Sequence, residues 1–181
     1  MAAGPTQKSV QITNLDASPA VENTAGNGAP GRLQEVDGFV TAAAADGAGT
    51  KYLMVRLSSQ AVVKTVTLES EAQGAGKVQC GLYYADDARY LAGGSANAGV
   101  VIDVKFFSDD KDLASAVAPT NITYNGTAPT YNISKRTQPL WQAAGLSSDP
   151  GGMFDVVLTV HTTDVTTGTG RIYLKVTYIE P

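Results

Sequence analysis

His161 is the single histidine of the chain and Cys80 its single cysteine. General acid-base chemistry needs a side chain that titrates near neutrality, so His161 is the natural candidate for a base. A Ser-His-Asp set also needs an activated nucleophile, and no serine sits in a Gly-X-Ser-X-Gly elbow. Alternation places His161 among threonines on the polar face of a strand, which reads as a solvated histidine. Cys80 falls by parity on the apolar face of its strand and reads as a small buried hydrophobe. One cysteine excludes an internal disulfide framework and a multi-cysteine zinc site.

Two groups of carboxylates remain, Asp86-Asp87 and Asp109-Asp110-Lys111-Asp112. Clustered loop aspartates can supply the oxygen ligands of a hard cation. The spacing of a calcium-binding helix-loop-helix is absent, however, and Lys111 interrupts the second group. Solvated loops or a helix N-terminus account for both, because aspartate caps helices and complements their dipole. A glycosidase needs two carboxylates at a defined separation, which sequence alone does not give. No phosphate loop or dinucleotide fingerprint occurs; Gly74-Ala-Gly76 is a turn. No catalytic residue, metal ligand or cofactor is therefore assigned, and an enzyme is not expected.

Tyr83, Tyr84, Tyr90, Tyr124, Tyr131 and Trp141 crowd the middle third of the chain. Exposed aromatics stack on sugars, so a lectin-like binding module is the alternative reading. Against it, Tyr84 and Trp141 read as core fillers with their polar ends paired at the edge.

Composition narrows the classes further. Thirteen Lys and Arg against 17 Asp and Glu give a net charge of -4 without a basic block, which excludes a nucleic-acid partner because phosphate binding needs clustered cations. No apolar run approaches the ~20 residues of a spanning helix, so no membrane is expected. Met1-Ala-Ala-Gly-Pro lacks the features of a secretory signal, and synthesis in the cytoplasm is expected. Asn121, Asn125 and Asn132 head Asn-X-Ser/Thr triplets, which a segment rich in Thr, Asn and Ser produces by chance.

The elements that carry these residues alternate with a period of two. The segments are Val62 to Ser70, Lys77 to Tyr84, Gly99 to Phe107, Phe154 to Thr162 and Arg171 to Ile179, with Leu33 to Val40 and Tyr52 to Leu57 as further strands without that pattern. Such alternation marks strands with one buried face. Val62, Val66 and Leu68 share one face; so do Val78, Cys80, Leu82 and Tyr84, and so do Phe154, Val156, Leu158 and Val160. Helical stretches are short, Asp109 to Val117 and Pro139 to Gly145. Antiparallel pairing follows, since parallel strands need intervening helices. The fold class is all-β, an antiparallel β-sandwich of jelly-roll type, with an immunoglobulin-like sandwich as the runner-up.

Residues 1–31 differ from the body, 32–181. Ser18 to Gly31 is rich in Ala, Gly, Asn and Pro, so it buries little apolar surface to offset ordering. An extended N-terminal arm is expected, with a strand over Lys8 to Thr13. Val10, Ile12, Leu15 and Val21 are its apolar anchors and the candidate contacts to a partner.

Pro139-Leu-Trp-Gln-Ala-Ala-Gly-Leu-Ser-Ser-Asp-Pro, followed by Asp155 in a strand, Gly168-Thr-Gly and a closing strand through Tyr178, resembles small virion proteins of tailed bacteriophages. Cys80-Gly-Leu-Tyr-Tyr before an Asp-rich turn, and Phe106-Phe107-Ser108 leading to Asp112-Leu-Ala-Ser-Ala-Val, are similar to them too. The arm departs from that pattern, being longer and richer in Ala and Gly. The resemblance implies a capsid cement or decoration subunit on the outside of the head, with a tail fibre, spike or neck component that binds host-surface glycan as the alternative. Its implied partners are the major capsid protein and neighbouring copies of the chain, or a homo-oligomer. Strand addition by the arm and many-copy avidity would suit that role.

Overall fold

The computed structural model describes residues 6–19, 32–43, 46–87, 90, 95–161 and 170–180. Among them, nine strands form two sheets. The strands are β1 (Thr6–Lys8), β2 (Leu33–Thr41), β3 (Lys51–Ser58), β4 (Val62–Ser70), β5 (Lys77–Tyr84), β6 (Val101–Asp112), β7 (Val117–Asn121), β8 (Met153–Val160) and β9 (Arg171–Ile179). Two α-helices accompany them, α1 (Val10–Asp16) and α2 (Leu140–Ala143). One sheet runs β1-β3-β8-β5-β6 and the other β2-β9-β4-β7. Every pair is antiparallel except β1 with β3. This is the all-β sandwich expected from the alternation.

The main core lies between the sheets. Val36 and Val40 of β2, Val66 and Leu68 of β4 and Leu174 and Val176 of β9 meet Met54, Leu82, Phe154 and Val156 from the other sheet. In β2 the burial alternates strictly from Leu33 to Thr41, the signature of a strand with one wet face. In β3 and β8 it does not. Residues 52–57 and 154–160 are buried on both faces, because the outer face of their sheet is covered as well. Part of that cover is α1, whose Ile12 packs with Leu53, Tyr83 and Val157 in a second, smaller cluster.

Four local readings of the sequence are corrected. The strand expected over Lys8 to Thr13 ends at Lys8, and a helix follows. Ser9 explains the switch: its Oγ accepts the Ile12 N–H at 3.2 Å, satisfying an end donor as an N-cap does. The helix expected over Asp109 to Val117 is instead the end of β6 and the start of β7. Lys77 and Lys105 neutralise the acidic run there, through Asp110 at 2.9 Å and Asp109 at 2.7 Å. In β4 the core takes Val63, and Val62 is only half-buried, since a bulge between Val63 and Thr65 inverts the parity. The segment expected from Gly99 begins at Val101, leaving Val100 and Val101 exposed. Its register against β5 shifts around Cys80 and Leu82, and Phe106 and Phe107 are both wholly buried. Gly81 permits this crossing, because a Cβ there would lie 2.7 Å from the carbonyl oxygens of Asp103 and Val104.

Candidate functional site

The outer face of the five-stranded sheet carries the densest chemistry among the described residues. Arg56 projects from the middle of β3, and its side chain is entirely shielded from solvent. Asp155 stands opposite it in the β3–β8 ladder and grips the guanidinium twice, Nε to Oδ1 at 2.6 Å and Nη2 to Oδ2 at 2.8 Å. Asp16, the last residue of α1, accepts from Nη1 at 2.6 Å. Asp86, in the turn after β5, accepts from Nη2 at 2.9 Å. Tyr90 offers its ring at 5.1 Å from the guanidinium carbon. Lys8 closes the circuit by reaching Asp16 at 2.7 Å and Asp86 at 2.9 Å.

This arrangement suits a guanidinium, whose planar fork matches a carboxylate in bidentate fashion. Burial opposes the charge on Arg56, yet the hydrogen bonds and charges of Asp155 and Asp16 raise its pKa above the ordinary value. Burial likewise opposes the charge of Lys8, and Asp16 and Asp86 outweigh it, so the ammonium is held up. Burial pushes the Asp155 carboxyl upward, with Arg56 pulling the other way. An acid at a helix C-terminus is disfavoured by the helix dipole, so Asp16 is there for Arg56 and not for its own helix. Chemically the cluster binds; a guanidinium locked by three carboxylates offers no free base or nucleophile.

A second polar anchor lies nearby. One carboxylate oxygen of Asp46 accepts from Gln7 Nε2, the Ala43 N–H and the Tyr52 hydroxyl, each at 2.8 Å. Ser9 is fully buried, and its hydroxyl donates to the Met54 carbonyl. Gly38 of β2 lies against both, where any Cβ would overlap Met54 O. Gln7 and Ser9 thus fasten their segment to the body of the chain.

The anchors expected in the arm fare differently. Ile12 is wholly buried against this chain's own Leu53, Tyr83 and Val157. Leu15 is half-buried on α1. Val10 opens α1, and Val21 lies outside the described residues. His161 is exposed just past β8, and the Asp109 carboxyl is lowered chiefly by its hydrogen bond to Lys105. Cys80 is completely buried, and burial pushes its thiol up. Asp112 caps the Ala114 N–H at 2.8 Å. Asn125, one of the triplet asparagines, donates to Ser108 Oγ and to the Asp110 carbonyl at 3.2 and 3.1 Å.

The aromatics do not form one platform. Tyr131 is buried and stacks on the partly exposed Tyr124 at 6.0 Å. Tyr83 is buried with its hydroxyl 3.0 Å from Thr159 Oγ1, Tyr84 meets the edge of Phe154 at 5.6 Å, and Trp141 packs on the core. A groove of about 650 Å³ crosses the outer face of the other sheet between Phe39, Tyr173, Arg171, Glu69, Glu71 and Val117. Among the described residues, no group of three His, Cys, Asp or Glu is placed to hold a metal ion, and no helix is long and apolar enough to cross a membrane.

Sequence reasoning missed the Arg56 cluster because parity assigned Asp155 to a wet face. One signal was present. Arg56 is the lone charge within the apolar run Tyr52-Leu-Met-Val-Arg-Leu, and a charge there must be paired if the run is buried.

No protein-family model matches the chain, and no curated protein matches it. Solved structures do. A chain in the capsid of Ralstonia phage GP4 superposes with a TM-score of 0.64 at 13% identity, covering 97% of this chain and 98% of that one. A chain in the capsid asymmetric unit of cyanophage Pam1 gives a TM-score of 0.40 at 20% identity, covering 91% and 96%. The fold of this chain is therefore one also found in the capsid of Ralstonia phage GP4.

Proposed function

We propose that this protein is a structural component of a phage virion, a cement or decoration subunit that stabilises the head by bridging capsid subunits from outside. The observation that carries the reading is the near-complete coverage of both chains in the likeness to the GP4 capsid chain. The titratable residues agree with it, since the densest cluster, around Arg56, is spent on holding the chain to itself. The body, 32–181, sits across joints between capsid subunits, and residues 1–31 are the attachment element. Val10, Leu15 and Val21 supply apolar anchors to the major capsid protein or to neighbouring copies. Ile12 joins them only where its segment leaves its own sheet. Many weak contacts on a lattice add through avidity, and no chemical step is required.

Copy number in purified particles tests this, as cement is present in many copies and a fibre or neck part in few. Imaging of particles with and without the protein then gives its station. Deleting residues 1–31 should abolish attachment and leave the core between the sheets formed, at a lower stability because Arg56 loses Asp16; attachment that survives the deletion counts against the reading.

A further inference from the structure

The seat of the amino-terminal segment is unusually specific for so short a segment. Thr6, Gln7 and Lys8 run alongside Lys51, Tyr52 and Leu53 of β3. Gln7 reaches the Asp46 carboxylate, Ser9 the Met54 carbonyl, Ile12 a pocket of three apolar side chains, and Asp16 the Arg56 guanidinium. These contacts form a unit of their own. The Ile12 cluster is separate from the core between the sheets, so the segment can leave without opening that core, in the manner of a local unfolding unit. Its departure bares an unpaired strand edge, an apolar pocket and a buried cation, all of which are unstable when left empty.

What refills that seat best is the sequence that matches it at each of these points, the same segment of another copy. Residues 20–31, Ala-Val-Glu-Asn-Thr-Ala-Gly-Asn-Gly-Ala-Pro-Gly, join the segment to the body. Fully extended, twelve residues reach at most roughly 40 Å, enough to pass to an adjacent molecule. We propose that residues 6–16 exchange between copies of this chain, each segment docking on the β3 edge and the Arg56 cluster of its neighbour. Exchange of an identical element makes no new kind of contact and links copies at little cost. It rests on the capsid reading only for what brings the copies together, because a lattice raises the local concentration of neighbours.

The test uses two full-length variants, Thr6→Cys and Lys51→Cys. These positions are partners in the parallel β1–β3 ladder, where strand spacing suits a disulfide, and the native Cys80 is buried. A concentrated mixture is oxidised and examined on a non-reducing gel. Exchange yields a covalent dimer of the two variants, roughly tenfold more than a mixture of Thr6→Cys with Lys175→Cys, whose cysteine lies on the other sheet. Equal yields overturn the proposal. The chain carrying both Thr6→Cys and Lys51→Cys should close the same bond within one molecule when dilute; if it does not, the seat is not where the proposal needs it and the proposal fails. Presence of the protein in particles is measured separately, so failure of exchange is distinct from failure of the capsid reading.

Discussion

Arg56 and Asp155 stand in register on neighbouring antiparallel strands and are joined by two parallel hydrogen bonds, at 2.6 and 2.8 Å. Neither side chain is appreciably exposed. Removing one member of such a pair leaves a buried charge without a partner, which is more damaging than removing both. Asp155→Ala is therefore expected to lower the unfolding free energy by about 3–5 kcal/mol, and the double change Arg56→Met/Asp155→Leu by clearly less. Denaturant titration followed by fluorescence measures both. A double variant as unstable as the single one contradicts this account of the pair.

Asp16 holds the end of α1 to the same guanidinium. Asp16→Asn keeps the shape and removes the charge, so the segment 6–16 should lose its grip while the sheets persist. Hydrogen exchange is expected to speed up for the amides of Ile12 and Thr13, whose acceptors lie on Ser9. Protection in β4 and β9 should stay unchanged, because their ladder belongs to the other sheet. Uniform loss of protection throughout the chain would contradict the independence of the segment.

Gly81 is needed for room and not for turning. Its Cβ would press on the backbone of β6 at Asp103 and Val104, and backbone cannot step aside as a flexible side chain can. Gly81→Ala is expected to destabilise by about 1–3 kcal/mol, the usual range for overpacking. The loosening should begin at β6, an edge strand of its sheet, and thermal melting with residue-resolved exchange reads both the size and the place.

Alkaline stability follows from three buried acids. Burial raises the Cys80 thiol above its ordinary 9.0, and burial also raises the Tyr52 and Tyr131 hydroxyls above 10.0. The folded chain keeps these protons where the unfolded chain sheds them. The stability they contribute is fully present below pH 9 and falls as pH rises from there. Midpoints of urea denaturation measured from pH 8 upward are expected to decline from about pH 9, and Cys80→Ala should delay the onset. A thiol reagent at pH 8 should label Cys80 only in denaturant.

Alternation of apolar and polar residues made most of the sandwich legible, and β4, β5 and β9 begin and end where the pattern does. It failed where a single parity ceased to describe the surroundings. Bulges moved Val63 inward and put the adjacent Phe106 and Phe107 both inside. A capping serine turned a β-branched run into α1. Asp155 and Thr159 occupy what parity calls the wet face, yet α1 and its neighbours cover that face. The Arg56 cluster was invisible for the same reason: its members come from residues 8, 16, 56, 86 and 155, and only the tertiary fold gathers them.

The nine consecutive pairs from Leu33 with Ile179 to Thr41 with Arg171 bind the first long strand to the last. On a ribosome, β2 emerges long before β9, which is its ladder partner among the described residues. The four-stranded sheet thus cannot close before β9 has been made, and so wide a separation along the chain slows folding. A nascent chain stalled before residue 170 should expose a bare β2 edge to chaperones, whereas a chain that includes β9 covers that edge.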